Sequence, residues 1–256
     1  MGVPRAGLRH AVETLRYEGA HILLWRFICR LLSPFGWLGL MTFYERDLTK
    51  PVPQVSAKIP ITIGTATEVD MDELVPFLVM ARGAALDAAT RQRIRQNLVE
   101  YMRKGDQLFV ARVADEVVHT NHIAFEQMEF SPLTGRVRVP LLVGEAYMTN
   151  GYTKERWRGR GIHGAVNGCM LRFLQQRGYR RAFTQARTDN LLARRGVERL
   201  GWQVTGSVLY FRLRLNRAAV VWSLRGSLWP FNERLPNARV AGPRLVYFPV
   251  RAGGSR

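Results

Sequence analysis

Cysteines, acidic residues and long hydrophobic runs are all scarce in this 256-residue chain, and each scarcity excludes something. Two cysteines, Cys29 and Cys169, cannot build a disulfide framework; both read as small buried apolar residues, and the reducing cytosol is the expected compartment. The longest uncharged apolar stretch near the start, "LLSPFGWLGLMTFY" at 31–44, is broken by Pro34, Gly36 and Gly39. It falls short of the roughly 18–20 residues that span a bilayer. No basic region followed by an apolar core and an A-x-A site opens the chain, and Glu13 and Glu18 interrupt the stretch, so no secretory signal is read. Ala6 stands where a myristoylation motif needs Ser or Thr. Asp and Glu number 20 against 38 Lys and Arg, which leaves a formal charge of +18 and a pI near 11.1. That imbalance calls for an anionic partner: a phosphorylated cosubstrate, a nucleic acid or an acidic membrane surface.

What is present is enough apolar residue, 47%, for one domain with extensions. Residues 1–57 read as a basic, aromatic-rich helical extension closing in a linker, "TKPVPQVSAKIP" at 49–60, whose prolines discourage regular structure. A mixed α/β domain follows at 58–213. Its expected elements are a strand at 61–67, helices at 68–81 and 90–102, strands at 107–114, 117–125 and 145–153, a helix at 161–177, a strand at 180–187, a helix at 189–202 and a strand at 204–213. A looser Pro/Gly-containing connection separates the second and third of the central strands. The basic tail, 214–256, reads as poor in strands.

The densest motif is "ERWRGRGIHGAVNGCMLRFL" at 155–174, where Gly159, Gly161 and Gly164 have the spacing of a dinucleotide-binding turn. That reading needs an apolar strand running into the first glycine, and "TKERWR" is not one; no Gly-Lys-Ser/Thr follows to make a Walker loop. The phosphate-binding physics stands without either motif. Amides at the start of a helix are unpaired and lie at the positive end of its dipole, so a pyrophosphate placed there gains charge-assisted hydrogen bonds. Arg158 and Arg160 add positive charge, with a solvated surface as their ordinary alternative.

Taken with its surroundings, the run from Tyr152 to Trp202 resembles the GNAT N-acetyltransferase superfamily, in which a strand, an R/Q-x-x-G-x-G/A turn and a helix build the acetyl-CoA site. Asn190, Ala193 and Leu200-Gly201-Trp202 match the family's second element, and "ITIGTATEVDMDEL" looks like its first strand and helix. The resemblance covers about 58–212 and implies an α/β acyl-CoA N-acyltransferase fold with acetyl-CoA as acyl donor. It implies that Thr153, Arg158, Gly159, Arg160, Gly161, Ile162, His163, Gly164 and Asn190 contact that donor. His163 stands where the family prefers Gly or Ala, so its side chain must turn away from the phosphates or touch them. Asn190 reads equally well as a helix N-cap.

In this family an amine attacks the thioester directly, so no covalent enzyme intermediate is needed, and a base must take the amine's proton. Glu145 and Tyr147 share a strand face, and Glu145 is the first candidate for the base. His119 and His122, expected on opposite faces of the neighbouring strand, are weaker ones. The family's usual acid, a Tyr seven residues after the Asn, is replaced by Val197; Tyr210 and Tyr152 are the substitutes considered. The expected acceptor is a small primary amine or an amino sugar. The alternative is a non-catalytic acyl-CoA-binding or nucleic-acid-associated protein retaining the fold.

The ends carry Trp25, Trp37, Trp222 and Trp229 beside Arg26, Arg30 and Arg225. Trp with Arg on an amphipathic segment suits peripheral contact with an anionic membrane; packing of the ends on each other, or on a second copy in a homodimer, is the alternative. From 201 to 256 nine arginines face one acidic residue, Glu233, but no recognition helix, RRM or zinc signature accompanies them to read nucleic acid.

Overall fold

The computed structural model describes residues 20–81, 87–130, 137–213, 219–225, 239–240 and 245–248. The first nineteen residues of the expected extension and most of the basic tail, Trp229 included, lie outside them. In chain order the strands are β1 (Gly36–Asp47), β2 (Thr62–Thr65), β3 (Gln107–Val113), β4 (Glu116–Ala124), β5 (Gln127–Phe130), β6 (Val137–Pro140), β7 (Glu145–Thr153), β8 (Arg181–Arg187), β9 (Gln203–Leu213), β10 (Ala219–Arg225), β11 (Arg239–Val240) and β12 (Leu245–Phe248). The helices are α1 (Ala20–Leu32), α2 (Met71–Ala81), α3 (Ala88–Arg103), α4 (Ile162–Gln176) and α5 (Leu191–Arg199). Apart from β5 and β6, the elements from 62 to 213 fall within a few residues of the expected ones, the strand at 145–153 to the residue.

Nine strands form one mixed sheet in the order β12-β10-β9-β1-β8-β7-β4-β3-β2, while β5, β6 and β11 form a small separate one. Alternation along β3 feeds two cores. Phe109 and Ala111 face α4, packing with Val166, Met170 and Leu174, whereas Leu108 and Val110 face α2 and α3, packing with Phe77, Ile94 and Leu98. Helices therefore cover both faces of this part of the sheet.

Residues 36–47 correct the sequence reading. Expected within a helical extension, they form the strand between β8 and β9, antiparallel to both. Met41, Phe43 and Tyr44 are buried, and a short apolar run buried on both faces has no period that separates strand from helix. Gly39 is required there, because a Cβ would overlap the Tyr210 ring on β9. The tail correction is similar: β10 pairs antiparallel with β9, and β12 parallel with β10. The main sheet thus draws strands from all three expected segments. The loose connection before β7 carries β5 and β6, also unanticipated.

Candidate active site

Parallel strands β7 and β8 stay paired for three residues only, Glu145 to Arg181, Ala146 to Ala182 and Tyr147 to Phe183. Thr184 Oγ1 then donates to Met148 O at 2.8 Å, and beyond it the strands part. Each is held by its other neighbour: β8 by β1 as far as Arg187 opposite Met41, and β7 by β4 as far as Thr153 opposite His119. A cavity of about 730 Å³ fills the gap, with Met148, Thr149, Asn150 and Gly151 on one side and Thr184, Gln185, Ala186 and Arg187 on the other. Tyr101 of α3 and Asn167 of α4 both line it, so it runs through the sheet from one helical layer to the other. On its β7 wall the ladder with β4 is irregular, and Asn150 has a left-handed backbone at φ 59°. Such a bulge in a strand frees backbone groups from the ladder and commonly marks a functional edge.

The glycine turn sits past the end of β7. Glu116 at the start of β4 anchors its approach, accepting from Lys154 Nζ at 2.8 Å and Trp157 Nε1 at 3.3 Å and pairing with Arg156. Bonds from Lys154 and Arg156 bring the Glu116 carboxyl down to about 2. Gly159 and Gly161 both adopt φ of 76°, and Gly161 caps α4 without any side-chain hydrogen bond, which leaves the first helical amides without side-chain caps. Arg158 and Arg160 are exposed beside it; Arg158 Nε donates to Thr153 O at 3.2 Å, and Arg160 lies over the Trp157 ring. The glycines divide the work. A Cβ on Gly159 meets nothing, so this side is open, whereas Cβ atoms on Gly161 and Gly164 would press on Ser56 O and Val55 at 3.2 and 3.0 Å. Glycine at 161 and 164 thus lets the linker approach, and Lys58 N donates to Arg160 O at 2.8 Å.

His163 turns away from the turn and into the protein. Its Nε2 accepts from Asn167 Nδ2 at 2.9 Å, and Asn167 Oδ1 accepts from Asn121 Nδ2 at 2.8 Å. Gly151 makes room, since a Cβ there would lie 2.8 Å from His163 Cε1. The His119 ring stands edge-on to His163 at 5.3 Å with Nδ1 2.8 Å from Thr153 Oγ1; its Nε2 is buried with no partner among the described residues. Burial lowers the pKa of both imidazoles, that of His119 most strongly and with a further push from His163, so both are neutral.

On the α3 side a second group forms. His122 Nε2 lies 3.0 Å from Asp106 Oδ2, both side chains are buried, and the Tyr101 ring stacks on the imidazole at 4.5 Å. Asp106 Oδ1 also accepts from Phe125 N at 3.3 Å, which fixes the carboxylate. His122 Nδ1 is buried with no partner among the described residues. Asp106, Tyr101 and His122 all line the cavity. The two histidines of β4 meet opposite helical layers, as expected. Asp106 was not singled out, yet the tight β3–β4 hairpin held the signal: register pairs Leu108 with His122, which puts Asp106 on the diagonal next to it.

Of the other expected residues, Tyr147, His163 and Asn190 line the cavity. Asn190 also caps α5, accepting from Ala193 N at 3.1 Å, as its N-cap reading expects. Glu145 does not line it. It is buried at the base of β7, where Oε1 pairs with Arg181 Nη2 at 2.9 Å and Oε2 accepts from Leu142 N at 2.8 Å. Tyr210 is buried over Gly39, away from the cavity lining, and burial pushes its phenol up to about 12. Tyr152 packs edge-on against Phe77. Val197 lines the cavity as an apolar side chain.

No protein-family model matches the chain, and no curated protein matches it in sequence. Its fold is similar to that of a GCN5-related N-acetyltransferase from Sphaerobacter thermophilus, with a TM-score of 0.51 at 18% identity over 72% of this chain and 55% of that one. A putative GNAT-family acetyltransferase from Novosphingobium aromaticivorans scores 0.46 at 17% identity over 67% and 62% of the two chains. A GNAT-family acetyltransferase from Colwellia psychrerythraea scores 0.48 at 12% identity over 70% and 58%. The chain spans less than two thirds of the length of each of these three structures.

Proposed function

Taking the GNAT fold as the premise, we propose that the protein is an acetyl-CoA-dependent N-acetyltransferase acting on a small primary amine. The observation that carries this reading is the cleft where β7 and β8 part, with an uncapped helix N-terminus at one end and a buried His–Asp pair at the other. The donor end suits a pyrophosphate on chemical grounds: first-turn amides of α4, an open face at Gly159, and the exposed Arg158 and Arg160. When bound, acetyl-CoA supplies the thioester that the amine attacks.

The chain's own residues supply the rest. The Asp106 carboxylate accepts the Nε2 hydrogen of His122, holds the ring against Tyr101 and leaves Nδ1 as the basic atom. We assign His122 as the base that takes the amine's proton, in place of Glu145, whose two oxygens are committed to Arg181 and the Leu142 amide. Backbone groups released by the bulge at Asn150 lie on the cavity wall, where a donor would stabilise the oxyanion of the tetrahedral intermediate. Neither expected substitute stands in for the acid missing at Val197, since Tyr210 lies over Gly39 and Tyr152 against Phe77, and a thiolate of ordinary basicity leaves with protonation by solvent.

The test is free-thiol release from acetyl-CoA in the presence of amino sugars and small primary amines. Amine-dependent release in the wild type and its loss in His122→Ala support the reading. Binding of acetyl-CoA with no release for any amine would leave the protein as an acyl-CoA binder that keeps the fold.

A further inference from the structure

Helix α1 wears its apolar side outward. Ile22 is buried on its inner side, and the Cys29 thiol donates to Leu38 O of β1 at 3.6 Å. On the opposite side Leu24, Phe27 and Leu31 are 60, 62 and 63% exposed, and their i, i+3, i+7 spacing makes them one stripe. Phe35 and Trp37 prolong the stripe into the start of β1, at 68 and 59% exposure. The other exposed large apolar residues, such as Val69, Val99, Val143 and Leu192, are scattered over the rest of the chain. Scattered ones are ordinary; five within fourteen residues of sequence are a patch that water alone does not explain.

Charge decides what fits it. Arg30 is exposed within this helix, and between residues 1 and 35 five arginines stand against two glutamates. The whole chain carries +18, so a second copy is repelled where an anionic lipid surface attracts. Leu and Phe along a basic helix, closed by a Trp, have the make-up of a segment lying in the headgroup region. The 13 described residues of the helix do not suffice to cross a bilayer but are long enough to lie along one. We propose that α1 and the Phe35–Trp37 turn form an interfacial anchor that docks the protein on anionic lipid bilayers. Trp37 precedes Met41 of the cavity lining by four residues on one strand, roughly 13 Å, so docking holds the cleft close to the lipid surface.

Sedimentation with vesicles tests this, comparing the full chain on phosphatidylcholine alone and on phosphatidylcholine mixed with phosphatidylglycerol. The wild type is expected to partition onto the anionic vesicles and to bring Trp fluorescence with it as a blue shift. Leu24→Glu with Phe27→Glu, both exposed and so harmless to folding, is expected to weaken partition at least tenfold while circular dichroism and acetyl-CoA binding stay unchanged. Three results would each overturn the proposal: no vesicle binding by the wild type, binding that the double variant retains and only salt removes, or a wild-type dimer that the double variant converts to monomer without lipid. The second would mean bulk charge alone, the third a second copy on the stripe.

Discussion

The gap between β7 and β8 divides the main sheet into halves of different character. On one side β2, β3, β4 and β7 follow each other in chain order and hold the candidate site groups: Asp106, His122 and Asn121 on the cavity, with His119 and the glycine turn beside them. On the other side β8, β1, β9 and β10 come from distant parts of the chain; β1 and β8 line the cleft with Met41 and Ala186, joined by Val197 of α5 and by Trp202 just before β9. On the proposed reading, the first half handles the proton and binds the anion, and the second closes the cleft. The division makes a prediction: substitutions in the first half should alter turnover or affinity, and those in the second should alter stability.

The largest effect is expected at His122. Replacement by Ala should lower kcat about 10²–10⁴-fold with little change in acetyl-CoA affinity, and Asp106→Asn should lower kcat less. A kcat near that of the wild type in both variants would take the base role away from this half of the sheet. Gly39→Ala sharpens the contrast from the other side. Its Cβ must displace the Tyr210 ring, so a loss of ~1–3 kcal/mol is expected in denaturant unfolding, with kcat/KM of the folded fraction unchanged.

Smaller effects follow from charge. Reversing both exposed arginines, Arg158→Glu with Arg160→Glu, should weaken acetyl-CoA about tenfold or more, an effect that shrinks with added salt. Finally, stability should fall on acidification. Burial holds the folded pKa values of His119 and His163 below the ordinary imidazole value of 6.5, so under pH 6.5 the unfolded chain takes up protons that the folded one refuses. Stability is therefore full above that pH and declines below it, by up to about 1.4 kcal/mol per pH unit for each group. Melting temperatures between pH 7.5 and 5 check this, and His119→Leu should flatten the decline.

The same two halves differ in how far the sequence discloses them. In the hairpin half, alternation in "QLFVARVA" and "EAYMTNGYT" and the change to helical spacing after Gly161 are local signals, and the elements stand where those signals put them. The β1 strand is not local. Its run "LMTFY" is largely buried and pairs with strands more than a hundred residues away, and nothing within the run itself tells strand from helix. The site divides likewise. The glycine turn was visible as a motif, but Glu145 was placed by strand parity without knowledge of Arg181, the partner that the β8 register brings to it. Asp106 was legible only through pairing: it sits one residue before β3, and only the hairpin register brings it to His122.

The central claim is that the cleft and its glycine turn hold an acyl-CoA. Calorimetric titration at moderate salt, with acetyl-CoA, NADH and a short oligonucleotide offered in turn to the wild type and to the Arg158→Glu, Arg160→Glu double variant, tests it most directly. Selective binding of acetyl-CoA by the wild type, weakened about tenfold or more in the double variant, is the predicted result. Equal binding of all three polyanions, fading together with salt and indifferent to the two substitutions, would contradict it.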